Sequence, residues 1–202
     1  MDLTNNKNVY DISIRITLPE KVSGIIKKEK GRFVSEYGSK YKSEPHITLC
    51  LTRDTLAEYP KEALEKLVEA LQSLEQKPFT ISPLSAKAIR EVDRHRNLYV
   101  VDVSNKEQIE ELRVKVRNIV NDYQRAISAD NNQEKKELEP HITLGEVGLN
   151  YQQPNLKEVQ ENIKEITGES ILVSDIVIFF YIKKAGEEKA KLVEEIKVSL
   201  RT

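Results

Sequence analysis

A six-residue segment that occurs twice constrains this chain more than any other feature. The segment EPHITL at residues 44–49 returns letter for letter at residues 139–144, so the two copies lie 95 residues apart. Periods of about 20 to 50 residues are typical of solenoids, whereas this period is close to half of the 202-residue chain. The repeat therefore predicts two related halves.

Hydrophobic patterns around each copy predict similar strands and helices. Aliphatic and polar residues alternate from Asp11 to Leu18, which indicates a half-buried strand, and the spacing of leucines from Pro60 to Leu74 indicates an amphipathic helix. The second half opens with a strand at Leu98 to Val103 and closes with strands at 171–182 and 195–200. Strands interspersed with helices predict an α+β chain with two sheets, each covered by helices on one face.

Composition excludes several kinds of site. The chain has 39% hydrophobic residues, enough for a buried core, and its 32 Lys and Arg nearly balance 33 Asp and Glu. A net charge of -1 provides no global positive field for a long nucleic acid. One cysteine excludes an intramolecular disulfide and a cysteine-based metal cluster, and three histidines provide poorly for a metal. We therefore expect neither a metal nor a cofactor.

The ends and the apolar runs of the chain bear on its location. Residues 1–11 carry Asn, Lys and Asp where a secretory signal needs a continuous apolar core. The longest apolar run, Ile176 to Ile182, is far shorter than the roughly 20 residues that span a bilayer. We expect a cytoplasmic protein that does not bind membranes, and we expect it to be a monomer.

The repeated strand carries residues suited to acid-base chemistry. Residues two apart in a strand share a face, so His46 projects with Thr48, and His141 projects with Thr143. Near neutral pH, one imidazole can remove a proton while a second, protonated one donates a proton. Phosphodiester hydrolysis needs both roles, together with donors to the phosphate oxygens that threonine hydroxyls can supply. A single H-x-T is an ordinary strand pair, but this duplicated motif takes two of the three histidines, and we predict that all four residues are catalytic.

Three further residues are candidates for substrate binding. Arg15 lies on the polar face of the first strand, where it either neutralises phosphate charge or is a plain surface arginine. Tyr181 and Lys183 share a face of the last long strand, where Tyr181 either stacks on a base or simply packs. The charged run at residues 27–30 is predicted to be solvated, and Cys50 is predicted to be a small filler residue.

Two H-x-T motifs, each preceded by a proline at Pro45 or Pro140, resemble those of the 2H phosphoesterase superfamily, whose members carry two H-h-[ST]-h motifs, where h is hydrophobic. The chain is most similar to the 2′-5′ RNA ligase (LigT-like) branch, from Tyr10 to Leu200. The resemblance implies one domain over residues 1–202 with two lobes that contribute one motif each. It implies a bilobal, pseudo-twofold fold in which two antiparallel sheets face a central cleft, with helices on the outside.

The resemblance also implies a function. We expect a metal-independent phosphodiesterase that hydrolyses a 2′,3′-cyclic phosphate or another 2′-linked nucleotide or RNA-end phosphodiester, with a nucleotide or short RNA as its partner. Gly145-Glu146 stands where bacterial LigT-like members commonly carry Ala-Arg, so a basic contact to RNA is expected to be missing. Two alternatives stay open: a hydrolase of cyclic or linear oligonucleotide signals in defence or counter-defence, and a nucleotide-binding module without turnover. Which histidine acts as the base is also open.

Overall fold

The structure is a computed structural model that describes residues 9–40, 43–56, 61–127, 138–183 and 190–201. Nine strands and four α-helices follow one another in these ranges. In chain order they are β1 (Val9–Thr17), α1 (Glu20–Tyr37), β2 (His46–Leu56), α2 (Lys61–Gln72), β3 (Phe79–Ile81), β4 (Pro83–Glu91), β5 (Arg96–Val103), α3 (Lys106–Ile127), β6 (His141–Gly148), α4 (Leu156–Asn162), β7 (Ile171–Val173), β8 (Asp175–Lys183) and β9 (Lys191–Ser199).

Seven strands form one antiparallel sheet in the order β4-β5-β6-β2-β1-β8-β9, and β3 pairs with β7 in a second, two-stranded sheet. The strand order shows that the two halves of the chain exchange strands. β8 from the second half lies beside β1, with β9 on its far side, whereas β4 from the first half lies beside β5. This exchange gives the duplicated chain its pseudo-twofold arrangement.

The predicted α+β class and the duplicated, bilobal fold are confirmed. The two predicted sheets are joined rather than separate, because β2 pairs with β6 through the partners Ile47 and Ile142. Each motif strand would otherwise be the edge of its own sheet, and pairing satisfies backbone groups that an edge leaves open. The single strand predicted over residues 171–182 is two strands, because β7 and β8 are separated at Ser174 and join different sheets.

The helices cover one face of the large sheet and bury its aliphatic side chains. α1 contacts β6 and α3 contacts β2, so each long helix packs against the motif strand of the other half of the chain. Core side chains such as Ile14, Ile47 and Ile142 are fully buried beneath them. None of the described helices is long and apolar enough to cross a membrane.

A β-bulge follows each H-x-T motif at the corresponding place. On β2, Leu49 has no partner in the register with β1, although the residues on either side of it are paired. On β6, Leu144 likewise has no partner in the register with β5. The extra residue changes the alternation of faces, and Cys50 consequently packs against the core, which agrees with its predicted filler role. A Cβ atom at the equivalent Gly145 would stand 2.7 Å from the buried ring of Phe33, so glycine is required for this close approach.

Candidate active site

The two motifs meet at the centre of the large sheet, on neighbouring strands. The paired residues Ile47 and Ile142 are fully buried on the helix-covered face. Residues one position away in a strand point to the opposite face. The four predicted catalytic residues therefore share the face that the helices leave open: His46, Thr48, His141 and Thr143.

Both imidazoles are held in the same way by the backbone. The Nδ1 atom of His46 lies 2.6 Å from the carbonyl oxygen of Glu44, and the Nδ1 atom of His141 lies 2.6 Å from that of Glu139. A carbonyl can only accept, so each Nδ1 carries the proton and the neutral ring keeps its lone pair on Nε2. The intervening prolines restrict each glutamate to extended backbone, which explains why the repeat begins with Glu-Pro.

A cationic and aromatic surface flanks the first motif. Arg15 pairs with Thr48 across β1 and β2, and its guanidinium donates to the hydroxyls of Ser13 (2.7 Å) and Tyr181 (3.2 Å). The same guanidinium lies 4.6 Å from the ring centre of Phe179, in cation–π contact. The structure therefore brings Arg15 and Tyr181 together beside the motif. Phe179 was missed, although its place two residues before Tyr181 on β8 was the signal that could have found it.

Two charged residues of α1 correct the sequence prediction. The prediction that residues 27–30 are solvated is wrong for Glu29 and Lys30, which are 3% and 5% exposed. Glu29 accepts from the guanidinium of Arg32, and the ammonium of Lys30 donates to the carbonyl oxygen of Ser43, so each buried charge has a partner. Local charge could not reveal this burial, because it depends on which face of α1 meets the sheet.

The surroundings of His46 favour its neutral form. Burial lowers its pKa most, and the positive charges of Arg15 and Lys30 lower it further. The hydrogen bond from the ring to the Glu44 carbonyl opposes this shift, and the resulting pKa is about 4. Burial also lowers the pKa of Lys30, to about 8. His46 is consequently a neutral imidazole at pH 7, with its Nε2 lone pair available.

The surroundings of His141 contain carboxylates. Asp102 is its partner across β5 and β6, and the Lys106 ammonium lies 2.7 Å from the Asp102 carboxylate. Burial and the charge of Arg113 lower the pKa of His141, whereas Asp102 and Glu91 oppose this shift and favour the protonated ring. The two imidazoles are therefore not equivalent, although their motifs are identical.

An arginine lies beside the position where the family resemblance implied one. Arg96 pairs with Glu146, and its Nε atom lies 2.6 Å from the Glu91 carboxylate. The guanidinium is thus held between two carboxylates. For the third predicted binding residue, β8 includes the backbone of Lys183, but its side chain lies outside the described residues.

Solved structures share this fold over nearly the whole chain. Escherichia coli LigT complexed with 3′-AMP has a TM-score of 0.59 at 14% identity, covering 96% of this chain and 98% of LigT. The TT0787 protein of Thermus thermophilus has a TM-score of 0.58 at 16% identity, covering 95% and 100% of the two chains. A crystal structure described as a phosphoesterase has a TM-score of 0.60 at 13% identity, covering 95% and 99%. A search of curated protein sequences gave no match.

A family model identifies the sequence more specifically than these structures, whose low identities show the fold alone. The model of the 2′-5′ RNA ligase superfamily matches residues 27–179, which include both H-x-T motifs. This match covers most of the 202 residues and supports a phosphodiesterase-type enzyme. The chain belongs to the 2′-5′ RNA ligase superfamily of 2H phosphoesterases.

Proposed function

We propose that this protein is a metal-independent phosphodiesterase that hydrolyses a 2′,3′-cyclic phosphate or another 2′-linked nucleotide or RNA-end phosphodiester. The observation that carries the proposal is the shared orientation of His46 and His141. Both rings bind a backbone carbonyl through Nδ1, and both lie on one face of two paired strands. In the proposed mechanism the two Nε2 atoms act on opposite sides of one phosphodiester, as in-line displacement at phosphorus requires.

His46 acts as the general base in this mechanism. Its ring is neutral at pH 7 because burial and neighbouring cations disfavour the protonated form. Nε2 removes a proton from water while the water oxygen attacks phosphorus. The adjacent Arg15 and Lys30 then oppose the protonation of this ring, so the proton returns readily to solvent or product.

His141 acts as the general acid. Burial lowers the pKa of His141 as well, but Asp102 and Glu91 oppose that lowering, whereas Arg15 and Lys30 reinforce it at His46. We therefore assign the protonated role to His141. As the bond from phosphorus to the leaving sugar oxygen breaks, the protonated Nε2 donates its proton to that oxygen. The products are a phosphomonoester and a free hydroxyl, and proton exchange with solvent returns both imidazoles to their initial states.

Thr48, Thr143 and Arg15 bind the phosphate. The threonines are half-buried on the same face as the histidines, so their hydroxyls can donate to the non-bridging oxygens. Arg15 pairs with Thr48 and supplies a positive charge at this end of the site. In this scheme side chains alone stabilise the negative charge on the phosphate oxygens. Because no metal takes part, we expect activity to survive EDTA.

A nucleotide fits the rest of the surface. The rings of Phe179 and Tyr181 lie beside Arg15 on β8, with their centres 6.5 Å apart. Bases stack on aromatic side chains with little sequence preference. LigT, which shares the fold, has been crystallised with 3′-AMP and with ATP. Lys183, further along the same strand, stays a prediction for substrate binding.

The test is a substrate panel with products separated by chromatography. The panel contains 2′,3′-cyclic AMP, 3′,5′-cyclic AMP, 2′-5′-linked diadenylate and a cyclic dinucleotide, each incubated with and without EDTA. We expect turnover of 2′,3′-cyclic AMP or the 2′-5′ dimer, unaffected by EDTA and lost in His46→Ala. Turnover of the cyclic dinucleotide alone would favour the signalling-nucleotide alternative. Tight AMP binding with no turnover of any compound would favour the binding module and overturn the proposal.

A further inference from the structure

A buried cation binds the chain just before each histidine, and the two bonds are equivalent in the repeat. On α1, the Lys30 ammonium donates to the carbonyl oxygen of Ser43, three residues before the first histidine. On α3, the Arg113 Nη1 donates at 3.1 Å to the carbonyl oxygen of Leu138, three residues before the second. Both cations are 5% exposed, so solvent barely reaches either side chain.

We propose that Lys30 and Arg113 are positioning residues, each holding the backbone segment that aims one catalytic histidine. The next carbonyl along each segment, that of Glu44 or Glu139, binds the imidazole Nδ1. A cation fixed to the preceding carbonyl therefore restricts the group that orients the ring. Hydrogen bonds from charged donors are stronger than those between neutral groups, which suits them to holding a short segment in one conformation.

Arg113 contacts the backbone of both motif regions. Its Nη2 atom donates at 3.0 Å to the carbonyl oxygen of Thr48, in the strand of the first motif. Its Nη1 atom also bonds the Glu110 carboxylate at 2.9 Å, which holds the guanidinium on α3. Arg113 thus connects the segment before His141 to the strand after His46. We expect its loss to change the relative placement of the two rings, and to reduce turnover more than the loss of Lys30.

Each cation also acts on the charge of its own histidine. Lys30, together with Arg15 and the second imidazole, disfavours protonation of His46. Arg113 disfavours protonation of His141, while Asp102 and Glu91 favour it. Removing one cation should therefore raise the pKa of its own histidine and leave that of the other nearly unchanged.

The first experiment needs no substrate and does not depend on the proposed phosphodiesterase activity. Imidazole Cε1–H resonances are followed by NMR against pH in the wild type, Lys30→Met and Arg113→Met, with the exposed Lys28→Met of the same helix as the control. We expect Lys30→Met to raise the pKa of His46 by about 0.5 or more, and Arg113→Met to raise that of His141 similarly. The control should move neither.

Two outcomes would overturn the proposal. In the first, the pKa values of His46 and His141 stay at their wild-type values in both methionine variants. In the second, each variant shifts both pKa values equally, as a general loss of structure would. Lys30→Arg and Arg113→Lys keep the charge and supply folded proteins should the methionine variants fail to fold. In them we expect the two pKa values to stay within about 0.3 of the wild-type values.

The kinetic part rests on the proposed function and separates the two claims. With 2′,3′-cyclic AMP, we expect Arg113→Met to lower kcat about tenfold or more with KM changed less than about threefold, because the residue aims a catalytic group without touching substrate. Arg113→Lys should recover part of kcat. A tenfold rise in KM with an unchanged kcat would contradict the positioning role. If the wild type turns over no phosphodiester while the pKa pattern holds, the function fails and the positioning role stands.

Discussion

Protonation of His46 should account for a measurable part of acid destabilisation. His46 is half-buried and close to the cations Arg15 and Lys30, and its pKa in the folded protein is about 4. In the unfolded chain an ordinary histidine has a pKa of about 6.5. The folded state therefore binds fewer protons than the unfolded state between these values. The stability contributed by the neutral ring is fully present above about pH 6.5 and is lost as the pH falls toward 4.

The size of this effect follows from the two pKa values. Linkage between a folded pKa of about 4 and an unfolded pKa of about 6.5 gives a loss of about 2 kcal/mol between pH 7 and pH 5. His46→Asn removes the titrating group while keeping a polar side chain of similar size. We therefore expect the variant to lose about 2 kcal/mol less free energy of unfolding than the wild type over this interval.

Urea unfolding at pH 7 and pH 5 measures the difference directly. The matched control is His95→Asn, which removes an exposed histidine in the turn between β4 and β5, where the backbone φ of 50° also suits asparagine. The control should lose as much stability as the wild type. If His46→Asn shows the wild-type pH dependence, the imidazole is not held neutral by its surroundings and the assignment of the base fails.

Two further predictions concern packing and phosphate binding. Gly145→Ala should cost about 1 to 3 kcal/mol of unfolding free energy, because its Cβ would stand 2.7 Å from the Phe33 ring. The control Gly24→Ala has open space on α1 and should stabilise the protein by about 0.5 to 1 kcal/mol. Equal effects of the two changes in thermal unfolding would contradict the close approach. Arg15→Met should raise KM for 2′,3′-cyclic AMP about tenfold or more, whereas Tyr181→Phe, which keeps the ring and removes one hydrogen bond to Arg15, should change KM less than about threefold. Unchanged steady-state kinetics in Arg15→Met would remove it from the phosphate site.

The centre of the site could be predicted because its signal is local and duplicated. The identity of residues 44–49 and 139–144, together with the period-2 geometry of a strand, was enough to place His46 with Thr48 and His141 with Thr143, each pair on one face of its strand. That the two pairs share a face follows from the pairing of β2 with β6. The helix predicted from Pro60 to Leu74 followed from apolar spacing in the same way and is α2. Even the carbonyl that holds each ring lies within the repeat, although its role required the structure.

Other features depend on contacts between distant segments and could not be predicted. The exchange of β4 and β8 between the halves follows from how edges pair in three dimensions, not from any local pattern. Lys30 and Arg113 are polar residues on helices, and only packing shows that they are buried beneath the motifs. The bulge after each motif, which turns Cys50 toward the core, likewise becomes visible only in the strand register.

The paired-histidine mechanism is tested most directly by steady-state kinetics of His46→Ala, His141→Ala and the double variant on 2′,3′-cyclic AMP, with folding checked by urea unfolding at pH 7. Each single change should reduce kcat/KM by about 10² or more, because each removes one proton transfer. Since the two rings act on one reaction, the double variant should fall no more than about tenfold below the weaker single variant. A folded single variant with the wild-type kcat/KM would contradict the mechanism.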